Sequence, residues 1–194
     1  KYKKGYKMNS RERIKCALNH KQADKLPVDF GSSPTTGIHV SNVYRLRQYY
    51  ELDEPGTPVK VVEPYQMLGE ISDDLKDIIG VDIAVLEGKG TFFGYSKENW
   101  KEWKLNDDTP VLVPGLFNTQ KNKDGSMYQY AKGDKKSPPS AKMPSKGFFF
   151  DSIVRQKEIV EEELNPEDNL EEYSLISKKD LNYLKKQAEN VYNN

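Results

Sequence analysis

The sequence predicts an α/β fold in which helices alternate with short buried strands, interrupted by a long antiparallel β segment. Three observations carry this. Apolar residues recur at helical spacing near residues 9–18, 40–50, 65–79 and 177–191. A short segment at 28–30 and the Val/Ile-rich run at 81–86 read as buried strands. Residues 91–150 read as strand, turn, strand around Asn-, Asp- and Gly-rich turns.

Each element has a local reason. Residues 1–8 read as a leader, with Met8 as a candidate start. Asn9 is placed to cap a helix and Glu12, three residues on, to return the hydrogen bond; Ile14, Ala17 and Leu18 form its apolar stripe. Pro27-Val28-Asp29-Phe30-Gly31 reads as a short strand, and the following loop ends near Gly37. Val40, Val43, Tyr44, Leu46 and Tyr50 line the next helix. Residues 59–62 form a short strand. A helix opening at Pro64 or Tyr65 would carry Met67, Leu68, Ile71, Leu75, Ile78 and Ile79 inward and end on Gly80. Residues 81–86 then form a buried strand. The β segment of 91–150 contains Trp100, Trp103, the turns Asn106-Asp107-Asp108-Thr109 and Asn122-Lys123-Asp124-Gly125, and Phe148-Phe149-Phe150. Residues 151–194 comprise an acidic, partly helical link and a last helix started by Ser177 and Asp180, with Leu181, Leu184, Ala188 and Val191 on one face.

Composition bounds the function. The 194 residues carry 30 Lys+Arg and 30 Asp+Glu, a net charge of +0, which argues against a dedicated nucleic-acid binder. Mean hydropathy is -0.84, yet 11% of residues are aromatic, too many for a disordered polyampholyte. No apolar run approaches the ~18 residues of a membrane span, and no secretory apolar region opens the chain. Cys16 stands alone and forms no internal disulfide, which predicts a cytoplasmic setting. Charge is uneven: residues 1–15 are basic and 158–172 acidic, read as two solvated ends, since exposed pairs contribute only about 0–1 kcal/mol.

Four stretches, in order, resemble one family: Asn9-Ser10-Arg11-Glu12-Arg13 with Ala17-Leu18-Asn19-His20-Lys21; Lys25-Leu26-Pro27-Val28-Asp29-Phe30-Gly31; Thr36-Gly37-Ile38-His39-Val40-Ser41; and Gly80-Val81-Asp82-Ile83. Together they resemble the uroporphyrinogen decarboxylase family, in its bacterial branch related to cobalamin-dependent methyltransferases. The resemblance covers nearly all of the chain after residue 8 and includes the β segment. It implies a TIM (β/α)8 barrel, which takes about 250 residues, so the chain is expected to be its amino-terminal portion, with residues 28–30 and 81–86 as neighbouring parallel strands and 91–150 as an antiparallel insertion.

The same resemblance frames the chemistry. Family decarboxylases carry arginines in the loop after the first strand, where guanidinium pairs with tetrapyrrole carboxylates. Here that loop, Gly31-Ser32-Ser33-Pro34-Thr35-Thr36-Gly37, has none. The family's functional aspartate falls on Glu87-Gly88-Lys89-Gly90, where Glu87 is the substitute. The expected parent is therefore a corrinoid- and zinc-dependent methyltransferase acting on a small methyl donor, with a decarboxylase-type lyase and a non-catalytic binding or assembly module as alternatives. Zinc and a corrinoid, or a corrinoid protein, would serve the complete parent; no cofactor is expected in this chain, which alone should be inactive. Self-association is a further expectation.

His39 is the candidate catalytic residue, because it follows the first-strand loop at the face where barrels do chemistry; the alternative is a helix cap. Asp29 either points into the barrel mouth or pairs with a Lys or Arg. Tyr65 and Gln66 would face the same pocket as substrate-binding residues, with core packing the alternative for Tyr65; Glu87 joins them. Cys16 and His20, at i and i+4, are two ligands where zinc needs three or four. Gly88-Lys89-Gly90-Thr91-Phe92-Phe93-Gly94 lacks the spacing of a dinucleotide fingerprint.

Overall fold

The computed structural model describes residues 7–155, 158–165 and 175–193. Most of the expected leader, and residues 166–174 of the acidic link, lie outside the described residues. Helix α1 (Ser10–Leu18) opens on the expected capping box: Asn9 Oδ1 accepts from the Glu12 amide at 2.9 Å, and Glu12 returns the bond to the Asn9 amide at 3.0 Å. Its inner face is not the expected Ile14, Ala17 and Leu18 stripe. Leu18 is 75% exposed, and the buried positions are Arg13 and Cys16. Arg13 is drawn inward by charge, because Asp24 and Asp82 wait beneath the helix.

Helix α2 (Val40–Tyr49) buries Val40 and Val43 against strand β1 (Val59–Glu63) and the short strand β2 (Leu68–Gly69). The helix expected from residue 64 or 65 onward is absent there. The Glu63 carboxylate accepts the amides of Tyr65 (3.0 Å) and Gln66 (2.7 Å), Met67 takes φ 55°, and the chain doubles back so that β2 pairs antiparallel with β1. Only helix α3 (Asp73–Ile79) remains of it, ending on Gly80 at φ 79° as the glycine stop predicted. Arg47 joins the end of α2 to the start of α3, contacting Asp53, Asp74 and Ser72.

The predicted barrel strands at 28–30 and 81–86 are not strands. They do run side by side: the Asp82 amide donates to the Val28 carbonyl at 2.8 Å, and the Val28 amide donates to the Asp82 carboxylate at 3.1 Å. A side chain has taken the place of a ladder, so apolar composition alone misreads these segments.

Six short strands follow: β3 (Lys101–Lys104), β4 (Pro110–Val113), β5 (Thr119–Lys121), β6 (Met127–Gln129), β7 (Ala141–Met143) and β8 (Asp151–Ser152). One sheet has the order β2-β1-β4-β3, in which β4 runs parallel to β1 and antiparallel to β3. The other is the antiparallel meander β5-β6-β7-β8. A shared core joins them, with Val61, Val111 and Val113 from the first sheet and Ala141, Met143 and Phe150 from around the second. Phe117 links the two through edge contacts to Trp103 and Phe150. Helix α4 (Lys178–Asn193) starts with Ser177 Oγ accepting the Asp180 amide, and its apolar side stays open, with Leu181 and Val191 exposed. The fold is mixed α/β, with no closed barrel among the described residues. No helix among them is long and apolar enough to cross a membrane.

The packing of α2 on β2 depends on Gly69. A Cβ there would stand 2.7 Å from Val43 Cγ2 and 3.0 Å from the Val40 Cα. Gly69→Ala is therefore expected to destabilise the fold by about 1–3 kcal/mol, as overpacking does. A urea titration reads this as a lower midpoint; an unchanged midpoint would show that α2 does not seat closely on β2.

Candidate functional site

A cleft of about 750 Å³ lies between the loop at 31–37, the β1–β2 turn with the start of α3, and the segment 85–97. That volume suits a small organic ligand.

The loop wall is organised by its own polar groups. Asp29 accepts from Ser32 Oγ (2.7 Å), the Ser32 amide (3.3 Å) and Thr36 Oγ1 (3.2 Å). Gly31, at φ 84°, receives Ile71 so closely that any Cβ would collide with it. Asp29 thus neither points into a mouth nor pairs with a Lys or Arg; it shapes the loop and stands outside the cleft lining.

The turn wall presents Tyr65 and Gln66, fixed by the grip of Glu63 on their amides. The Tyr65 ring stacks on Phe92 at 5.4 Å with 30° between planes, and Phe93 meets both rings edge-on. Phe93 is buried whereas Phe92 is 71% exposed. On the third wall, Glu87 pairs with Lys97 at 2.5 Å. Helix α4 buttresses this wall: Gln187 Oε1 accepts the Glu87 amide at 3.3 Å, and Lys89 lies 4.7 Å from the centre of the Tyr183 ring. The structure therefore brings Tyr65, Gln66 and Glu87 together in one cleft.

His39 lies next door, in a shallower cavity of about 540 Å³ that shares Tyr65 and Gln66 as its dividing wall. It caps α2. Nδ1 accepts the Ser41 amide at 3.3 Å and lies 2.8 Å from Ser41 Oγ; Nε2 lies 2.7 Å from the Phe148 carbonyl. A carbonyl only accepts, which assigns the proton to Nε2 and leaves Nδ1 as acceptor. Both ring nitrogens are engaged within the chain, so His39 is placed as a clasp between α2 and the β segment. Burial lowers its pKa below the ordinary 6.5, aided by Arg45, and outweighs the opposing pull of the Phe148 carbonyl and Asp107.

Sequence reasoning missed Glu63, Phe92 and Lys97. Phe92 carried a signal, as an aromatic set between Gly90 and Gly94 where no core helix could bury it. Glu63 and Lys97 carried none, since their roles arise from the turn and from a contact ten residues away. Among the described residues, no group of three or more His, Cys, Asp and Glu side chains is placed to hold a metal ion. Cys16 donates to the Lys21 and Gln22 carbonyls, and His20 sits beyond the end of α1 at φ 55°, so this pair does not fit a zinc ion.

Comparisons with protein-family models, with curated proteins and with solved structures found no match to this chain.

The His39 clasp makes stability depend on pH. With the folded pKa below the unfolded one, the unfolded chain binds the extra proton, so stability is full above pH 6.5 and falls as pH drops below it. Denaturant midpoints measured at pH 7.5 and 5.5 should fall on acidification. His39→Asn, which keeps a capping acceptor, should lose that part of the slope. Equal slopes in both proteins would show that the clasp does not titrate.

Proposed function

We propose that the chain is the amino-terminal part of a uroporphyrinogen-decarboxylase-like protein with a TIM-barrel fold, that its parent transfers a methyl group from a small organic donor, and that the cleft beside β2 holds the donor. The family part of this reading rests on the four sequence stretches that resemble it. The observation that carries the choice of substrate is the charge of the cleft. Its lining contains no arginine, and its acids, Glu63, Glu70, Asp73 and Glu87, outnumber its bases, Lys76 and Lys97. A porphyrinogen bearing many carboxylates would meet repulsion there, without the bidentate guanidinium partners that such ligands need. A small neutral or cationic donor would not.

The lining side chains supply binding and orientation. The Tyr65–Phe92 stack offers an apolar wall, Gln66 a hydrogen-bonding amide, and the Glu87–Lys97 pair a polar end. No zinc-ligand set is present among the described residues, and metal-assisted chemistry is assigned to the rest of the parent.

NMR titration tests this with dimethyl sulfide and 2-methoxyphenol as neutral probes and uroporphyrin as the polycarboxylate. The neutral probes should shift the amides of Gly31, Gln66 and Thr91, and uroporphyrin should not. Uroporphyrinogen incubated with the chain should return without coproporphyrinogen. Absence of shifts with both neutral probes and with the cation choline, or formation of the decarboxylated product, would overturn the proposal.

A further inference from the structure

Two features line the same cleft: an exposed aromatic face fixed in place, and a carboxylate without an ion-pair partner among the described residues. Phe92 stacks one ring face on Tyr65 and turns the rest of its surface outward. Phe93, buried in the core, touches Phe92 edge-on at 5.1 Å and Tyr65 at 5.6 Å, so the pair is held without help from a ligand. Four Lys or Arg side chains lie over aromatic rings elsewhere in the described residues, and none of them covers Tyr65 or Phe92.

The charges of the lining pair off almost completely. Asp73 takes Lys76 at 2.8 Å, Glu87 takes Lys97 at 2.5 Å, and Glu70 takes Lys60 at 3.4 Å. Glu63 is left over. Both of its oxygens accept backbone amides, from Tyr65 and Gln66, which hold the carboxylate in place without cancelling its charge. Among the described residues it has no ion-pair partner.

A ring face attracts a cation through its quadrupole, and the attraction is largest for weakly hydrated cations whose charge is spread over methyl groups. An uncompensated carboxylate in the same cleft adds a long-range attraction for one positive charge. Such a ligand also needs no hydrogen-bond acceptor aimed at its charge, which agrees with the engagement of Glu63 by the turn. We infer that the cleft binds a methylated ammonium cation, with its methyl groups on the outer face of Phe92 and its charge balanced by Glu63. The inference rests on the cleft being the ligand site and names the class of donor it takes.

Choline and 3,3-dimethylbutan-1-ol test it, since they share shape and differ in charge. Calorimetric or NMR titration of the whole chain should give choline an affinity about tenfold or more above its neutral isostere. Phe92→Leu, at an exposed position, should weaken choline about fivefold and the isostere less. Glu63→Gln should bring the choline-to-isostere ratio towards one, a ratio that any loss of folded protein leaves unchanged. Equal affinity for the two probes would overturn the cation inference and leave the small-molecule cleft standing. Binding of dimethyl sulfide or 2-methoxyphenol without binding of choline would do the same. Failure of all four probes to bind would overturn both readings.

Discussion

The arrangement of the amino-terminal third depends on one guanidinium. Arg13, 3% exposed, donates to both oxygens of Asp24, at 2.8 and 3.1 Å, to the Met8 carbonyl at 2.6 Å, and to Asp82. Asp82, 2% exposed at its side chain, also accepts from Ser10 Oγ at 2.8 Å and from the Val28 amide. The hydrogen bond from Arg13 holds the Asp24 carboxyl well below the usual carboxylate range. Burial pushes Asp82 upward, and its bonds from Ser10, Val28 and Arg13 outweigh that push. A buried charge is tolerated only when its partners and hydrogen bonds replace water. Here they do so by joining α1, the link at 24–28 and the segment at 81–83, which lead into two of the cleft walls.

This cluster explains what the sequence disclosed and what it concealed. The Asn9–Glu12 capping box, the Gly80 stop and the Ser177 start were legible because each involves residues within four positions of one another, where backbone geometry leaves few choices. The segments at 28–30 and 81–86 were misread as barrel strands because a short apolar run does not reveal whether a backbone ladder or a side chain will satisfy its amides. Asp82 satisfies Val28, 54 residues away, and nothing local announces it. The stripe on α1 was misplaced for the same reason: an arginine is expected outside unless distant carboxylates are known to meet it.

The turn at residues 64–67 shows a different conflict. Tyr65, Met67, Leu68 and Ile71 have helical spacing, yet Glu63 captures two amides and starts a reversal that places Met67 and Leu68 in the core by another route. The reversal also shapes the cleft, because it sets Tyr65 against Phe92 and lets the outer edge of β2 bond to residues 38–40, which follow the loop at 31–37. Tyr65 and Gln66 are legible from their place at the start of a helical pattern and Glu87 from the family resemblance, although a turn, rather than a helix, brings them together. His39 illustrates the limit of positional reasoning: it lies beside the cleft, and the structure commits both of its nitrogens to Ser41 and Phe148.

If Arg13 holds the segments at 28 and 82 together, their amides should open as a unit. Native-state hydrogen exchange at Val28 and Asp82, compared between the wild-type chain and Arg13→Met, measures this directly. Both amides should exchange slowly in the wild type. In the variant, both should accelerate by the same factor while the amides of β6 and β7 keep their rates. Unchanged exchange at Val28 and Asp82 in the variant would contradict it.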